Sequence, residues 1–391
     1  MIGDARVRNG KAENRETSGV DMADRTNRCW SQVSLSAIGK NIRAIRRVAA
    51  GASVWAVVKA DAYGHGVLET AGLLANSGVD AFCVATLPEA VQLREAGFTR
   101  QSVLLLGSFY ADEISDLIQY SITPTIPDMH HLGLLSRHCR RKNQTIDAEL
   151  KVDSGMNRYG IRFDELTERA QEIFRTPGVN ITALYSHLAA SGVPDDPGTH
   201  EQIALFRRAV DYLEISNLWF GRKHICNSGG VLYYRDALMD AVRPGLILYG
   251  YYPGAIDRET LPLTPALSLH ARVTAVKKVF AGGLIGYDRT YSAKREMTIA
   301  LVSIGYADGY PVRFSNRGTV LLGRERCPVV GKVCMDTTMI HVPSGRVKPG
   351  DEVVLWGGRD LPLETVAADA GTIPYELVCQ ISRRVPRFHV D

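Results

Sequence analysis

From about residue 30 to 265, short apolar runs alternate with longer stretches in which apolar residues recur every three to four positions. The short runs are Ser53–Lys59, Ala81–Thr86, Ser102–Gly107, Ser121–Ile126, Ala148–Asp153, Ile181–His187, Lys223–Ser228 and Ala241–Leu248. Several are almost continuously apolar, as parallel strands covered on both faces require. The longer stretches predict helices. Leu35–Ala50 spaces Ile38, Ile42 and Ile45 on one face, and His200–Leu213 does the same with Ile203, Phe206 and Val210. Pro88–Ala96 opens on a proline and is followed by Gly97, a start and a stop signal. Eight β/α units behind a leading helix predict an α/β fold, a (β/α)8 TIM-type barrel.

Beyond residue 265 the texture changes. Ser268–Val279, Thr298–Ile304, Thr319–Leu322, Val329–Val333, Met339–Val342 and Glu352–Trp356 alternate in period two between Gly, Pro and Asp. They predict a mainly β C-terminal domain, closed by a helical segment at Pro374–Ile381. Residues 1–28 carry mixed charge and few aliphatics, with no apolar core of a secretory signal. The expected division is a disordered extension over 1–28, the barrel over 29–264 and the β-rich domain over 265–391.

Active sites of such barrels lie at the C-terminal strand ends. Lys59 ends the first expected strand, Lys151 and Asp153 the fifth, His187 the sixth, and Asn227 and Ser228 the seventh; Arg243 precedes Pro244-Gly245 in the eighth. Any one of these is ordinarily a capped strand end, or a lysine reaching for water. Their convergence on one rim argues for chemistry. A partly desolvated lysine loses its proton more easily and becomes a nucleophile or base. Such amines condense with carbonyl cofactors, pyridoxal phosphate among them.

Composition narrows the class. The chain has 391 residues, 45% hydrophobic and 23% charged, as in a soluble globular protein. Its 46 basic and 42 acidic side chains leave a net charge of +4, too even to argue for nucleic acid or an anionic membrane. No apolar run approaches the roughly 18 residues of a membrane span. The seven cysteines are scattered without a C-x-x-C pair, which argues against a disulfide framework or a metal site and for a reducing cytoplasm.

The run Ala56-Val57-Val58-Lys59-Ala60-Asp61-Ala62-Tyr63-Gly64-His65-Gly66 resembles the cofactor attachment site of the bacterial alanine racemase family. The likeness continues through Lys151 to Gly160, Tyr185-Ser186-His187, Asn227-Ser228, Val242-Arg243-Pro244-Gly245, and Tyr287 to Tyr291. It then takes in Ile304 to Tyr310, Cys334-Met335-Asp336, and Gly371 to Glu376. It spans nearly the whole chain after Cys29.

The resemblance implies an isomerase that uses pyridoxal 5'-phosphate to interconvert L- and D-alanine, supplying D-alanine for the peptidoglycan of the cell wall. It also implies a cytoplasmic homodimer with shared sites. Lys59 would hold the cofactor and act as one base. Tyr291, reaching over from the partner subunit, would act as the other. A phenol is a poor base unless cationic neighbours stabilise its phenolate, and His187 with Arg243 would supply that relay. Arg243, which can only donate, would face the cofactor's pyridine nitrogen and leave it unprotonated. Tyr63, Ser228, Gly245 and Leu246 would hold the phosphate. Arg158 would steady a carboxylate, the substrate's or indirectly through the cofactor's 3-oxygen, and the backbone N–H of Met335, again from the partner subunit, would bind the substrate carboxylate, supported by Lys151, Asp336 and Asn227. Lys151 is expected to carry a carbamate that holds Arg158.

The chain departs from the family at Arg383, where many members carry a tyrosine that narrows the substrate channel. Serine or a broader amino-acid range therefore stands beside alanine as an alternative. So does a pyridoxal phosphate decarboxylase on the same scaffold, although Arg243 weakens the electron sink such enzymes need. The segment Leu188 to Gly192 also lacks the acidic residue common there.

Overall fold

The computed structural model describes residues 27–219, 221–254 and 261–391, so the expected extension lies almost wholly outside it. All eight expected barrel strands form one parallel sheet in chain order. They are Ser53–Val57, Ala81–Val84, Ser102–Leu105, Thr123–Ile126, Ile146–Asp153, Val179–Tyr185, Arg222–His224 and Ala241–Val242. The last pairs with the first at Ser53 and Val54. Across the remaining gap, Asp240 N–H donates to Lys223 O at 3.1 Å and Arg243 N–H to Cys226 O at 2.9 Å. The ring is thus nearly continuous, and Val54 to Val58 are buried throughout.

The helices follow the expected signals. In Leu35–Val48 the Ser34 hydroxyl accepts from Ala37 N–H at 3.1 Å, and Ile38, Ile42 and Ile45 are buried. In Pro197–Ile215 the Asp196 carboxylate accepts from Thr199 N–H at 2.7 Å, starting the helix three residues before the expected His200. Two strands are shorter than expected for backbone reasons. Ser121 sits at φ 51°, which excludes it from the fourth strand. Pro244-Gly245 stops the eighth, and Leu246–Tyr249 forms a 3-10 turn instead.

The second sheet has eight strands. Its spine is Leu267–Val279, paired antiparallel with Met297–Val302 at one end and with Glu352–Trp356 and Cys29–Ser34 at the other. The sequence division groups Cys29–Ser34 with the barrel, but its hydrogen bonds lie here, between Leu267–Val279 and the parallel strand Arg387–Val390. A run that short has no period that assigns it to one sheet over another. The expected strand Val329–Val333 is instead Glu325–Pro328, and only Val329 bridges Ile340. Gly331 at φ 78° turns the chain out toward Met335.

The local feature that places Lys59 is unusual. Ala60, Asp61, Ala62 and Tyr63 all lie at φ 54°, a left-handed turn. Four such L-residues cost roughly 4–8 kcal/mol at about 1–2 each. Many contacts offset this. Ala60 N–H donates to Glu89 Oε1 at 2.8 Å, and Val67 N–H to Asp61 Oδ1 at 2.8 Å. The C-terminal segment closes over the turn: Arg387 Nε donates to Gly64 O at 2.7 Å, and His389 Nε2 to His65 O at 2.8 Å.

A Cβ on Gly64 (φ 77°) would meet Val378 O at 2.1 Å, whereas one on Gly51 (φ 92°) meets nothing. Gly64→Ala should therefore lose roughly 2–4 kcal/mol in urea unfolding, from clash added to backbone strain. Gly51→Ala should lose only the strain, roughly 1 kcal/mol. Equal losses for the two variants would reject the clamp.

Candidate active site

Lys59, Tyr63, His187, Asn227, Ser228, Arg243 and Gly245 line one cavity of about 360 Å3 at the strand ends. Leu106, Ser191, Tyr375 and Cys379 complete its wall. Lysine, histidine, amide, hydroxyl and guanidinium thus converge from the first, sixth, seventh and eighth barrel strands.

Lys59 forms no ion pair among the described residues. Burial depresses its pKa, the Arg158 charge depresses it further, and Glu89 only partly opposes them. Its amine is more readily unprotonated than a surface lysine's, which suits attack on a carbonyl.

Asn227 has its amide fixed. Its Oδ1 accepts from Ser191 Oγ at 2.6 Å and from Gly230 N–H at 3.1 Å. The NH2 therefore faces Leu188 O and His187 Nε2, both at 3.3 Å. An NH2 only donates, so His187 Nε2 accepts and the ring proton sits on Nδ1. Burial, with Arg243, Lys151, Arg158 and Lys59 adding to it, holds the His187 pKa well below the histidine range. The expected cationic relay of His187 and Arg243 therefore takes its charge from Arg243 alone.

Arg243 is 2% exposed. Nη2 donates to Ser186 O at 2.6 Å and Ile225 O at 3.3 Å, and Nη1 meets His224 Nδ1. Its guanidinium lies 4.9 Å over the Tyr185 ring. The Nε–H has no partner among the described residues and is a donor left for a group in the cavity. That donor set fits a ring nitrogen acting as acceptor.

The residues expected to hold the phosphate lie together at the strand ends. Gly245 N–H donates to the Ser228 hydroxyl at 3.0 Å. A Cβ on Gly245 would lie 2.5 Å from Tyr63 Oη, so glycine is what lets the phenol approach this loop. Leu246 is buried behind Gly245. A flanking glycine is tighter still: a Cβ on Gly229 would meet Ser191 O at 2.2 Å. A cradle of small residues beside a hydroxyl, a phenol and an unpaired amine fits a phosphorylated aldehyde cofactor.

Lys151 is 4% exposed and stands 5.2 Å over the Tyr185 ring, with its pKa lowered to about 7 by burial, then Arg243 and Arg158. Arg158 is exposed at the rim, and its charge acts on Lys59, Lys151 and His187. The remaining expected residues are elsewhere. Tyr291, Met335 and Asp336 belong to the second domain and do not line the cavity. Met335 is 52% exposed, and Asp336 pairs with Arg384 at 2.7 Å.

Sequence reasoning missed His224 and Glu149, which lie behind Arg243. Glu149 left one local signal, a strand face shared with Lys151, whereas His224 ends its short strand and left none. Among the described residues no cluster of metal-ligating side chains occurs, and all seven cysteines are free.

Residues 33–253 match the alanine racemase N-terminal domain family and residues 266–389 the C-terminal domain family. The alanine racemase of Desulforamulus reducens is 39% identical over 367 residues, covering 92% of this chain and 98% of its own. That of Carboxydothermus hydrogenoformans is 39% identical over 369 residues, covering 92% and 99%. Among solved structures, alanine racemase of Clostridium difficile 630 superposes with a TM-score of 0.88 at 32% identity, covering 93% and 96%. A Bartonella henselae alanine racemase structure with covalently bound pyridoxal phosphate gives 0.85 at 30% identity, covering 93% and 100%. With both halves matched in order over a shared fold, the chain belongs to the alanine racemase family.

Proposed function

We propose that this protein is a pyridoxal 5'-phosphate-dependent alanine racemase that works by two bases, Lys59 of one protomer and the partner's Tyr291. The single observation that carries the reading is the cavity in which an unpaired, depressed-pKa lysine faces a guanidinium that can only donate. When bound, the cofactor withdraws electrons from the substrate's α-carbon and makes its hydrogen removable. The rest falls to the chain.

Tyr63, Ser228, Gly245 and Leu246 would hold the phosphate. Arg243 would donate to the ring nitrogen without surrendering a proton to it, which would limit electron withdrawal and favour proton return over loss of carbon dioxide. This argues against the decarboxylase alternative. Arg158 and the backbone of the partner's Met335 hold the substrate carboxylate. Lys59 Nζ takes or returns the α-proton on one face, and the Tyr291 oxygen of the partner subunit does so on the other. The field of the Arg243 guanidinium favours the phenolate this requires.

Two features support a homodimer. The cavity around Lys59 lacks Tyr291 and Met335, and the segments that carry them expose large side chains, Tyr287 at 70% and Met335 at 52%. Tyr306 and Ala307 N–H donate to Cys334 O and Met335 O, both at 3.1 Å, so the Tyr306 loop and the Met335 segment present a single surface. No described helix is long and apolar enough to cross a membrane. A cytoplasmic role in supplying D-alanine for peptidoglycan belongs to the same proposal.

Lys59→Ala and Tyr291→Phe should each abolish interconversion of L- and D-alanine, while Tyr291→Phe keeps exchange of the α-hydrogen with deuterated water for the one enantiomer that presents it to Lys59. Mixed and re-associated chains should recover about a quarter of native activity, because half the dimers pair one intact site with one doubly altered site. No recovery, with dimers confirmed by ultracentrifugation, would reject shared sites.

Lys151 is proposed to carry a carbamate that steadies Arg158. Its neutral amine adds carbon dioxide and releases a proton, so the adduct forms as pH rises through about 7 and is lost below it. Protein equilibrated with 13C-bicarbonate at alkaline pH should show a carbamate carbon signal by NMR, absent in Lys151→Ala. A native spectrum without the signal would remove the carbamate from the site.

A further inference from the structure

Behind Arg243 the barrel interior holds a polar chain that no step above uses. His224 Nε2 lies 3.0 Å from Glu149 Oε2, and His224 Nδ1 faces Arg243 Nη1. His224 is 0% exposed and Glu149 4%. The imidazole is gripped between rings: Tyr185 stacks on it at 5.0 Å and 10°, and Trp55 lies 4.4 Å away on a tilt. The Tyr185 hydroxyl is itself tied to Thr125 Oγ1 at 2.6 Å. Glu149 is the only buried carboxylate of the barrel among the described residues.

The chemistry of the three groups fixes the direction of every hydrogen bond. A guanidinium only donates, so His224 Nδ1 must accept from Arg243. Burial, with Arg243 and Arg222 adding to it, keeps His224 from gaining a second proton. Its one proton is therefore on Nε2 and points at Glu149, whose oxygen accepts. Burial pushes the Glu149 carboxyl upward, and Arg243 and Arg222 pull it back. An oxygen accepts in either protonation state, so the chain does not depend on which prevails.

We propose that Glu149 is a positioning residue for racemisation: it fixes the His224 tautomer that can accept from Arg243, and so holds the guanidinium in place beneath the cofactor. This rests on the reading that Arg243 faces the cofactor's ring nitrogen. Without the acceptor, the imidazole is free to move its proton to Nδ1. It would then oppose an N–H to the guanidinium N–H and push Arg243 out of line. The tautomer of one histidine nitrogen is set by the bond the other makes, and Glu149 is the group that makes it.

The test uses the holoenzyme with 15N-labelled histidine. The His224 signals are identified by their loss in His224→Gln. The native protein should show a neutral imidazole with the proton on Nε2. Glu149→Gln, whose amide oxygen still accepts, should keep that pattern and hold kcat within about threefold. Glu149→Leu should lose it, lower kcat roughly 10- to 100-fold as loss of a histidine's supporting acceptor does elsewhere, leave KM for alanine within about threefold, and shift the visible absorbance of the bound cofactor. The proposal is overturned by a native His224 protonated on Nδ1 or on both nitrogens. It is equally overturned if Glu149→Leu lowers thermal stability while tautomer, absorbance and kcat stay put, or if Glu149→Gln falls as far as Glu149→Leu. Failure of the parent reading is separate: a native holoenzyme that exchanges no α-hydrogen refutes racemisation, while the 15N pattern still decides the acceptor role of Glu149.

Discussion

The left-handed turn after Lys59 is the constraint around which both domains are arranged. A right-handed helix beginning there would carry the following residues along the barrel wall. The left-handed turn instead folds the chain back at once, burying Ala62 and Tyr63 and bringing the Tyr63 hydroxyl to the Gly245 loop. The conformation does not hold itself, because each of its residues prefers the other hand. It is held by Glu89 from the barrel and, against Gly64 and His65, by Arg387, His389 and Val378 packed from the chain's far end. The lysine's aim therefore depends on a strand that closes more than three hundred residues later.

That same C-terminal segment reaches the other way. Arg384 pairs with Asp336 at 2.7 Å and with Asp308 at 3.3 Å. Asp308 in turn accepts from Gly305 N–H at 3.0 Å, fixing the loop that displays Tyr306. Three residues apart on one strand approach, Arg384 steadies the surface proposed to serve a partner's site and Arg387 steadies the lysine of its own. Coupling the two through a short stretch of backbone would keep both halves of the proposed shared site in register without a linker between the domains.

The electrostatics of the cavity follow from the same economy of partners. Lys59, Lys151 and Arg243 are drawn inward, Arg158 stands at the rim, and one buried carboxylate, Glu149, answers them. So much uncompensated positive charge is expensive to bury. The protein relieves it by lowering the pKa of both lysines and keeping His187 and His224 neutral. A phosphate and a substrate carboxylate would relieve it further. The site is thus built to be completed by anions, and its strongest cation, Arg243, is the one group that cannot shed its proton in the meantime.

The strand count and the rim of polar residues were legible because parallel strands buried on both faces leave long apolar runs that stop abruptly at function. What escaped was whatever depended on distant partners. Cys29–Ser34 carries too few residues to announce its sheet, and its neighbours Leu267–Val279 and Arg387–Val390 lie far along the chain. The left-handed turn reads locally as a Gly-rich loop, since nothing in Ala60 to Tyr63 favours positive φ. Glu149 shares a strand face with Lys151, but its partner His224 is brought to it only when the barrel closes. The protonation of His187 went astray for a related reason: a histidine among cations seems a natural relay in sequence, yet in a closed cavity those cations and burial act together against its charge. A motif names the groups at a site, and only closure of the fold around them decides which of those groups carry the charge.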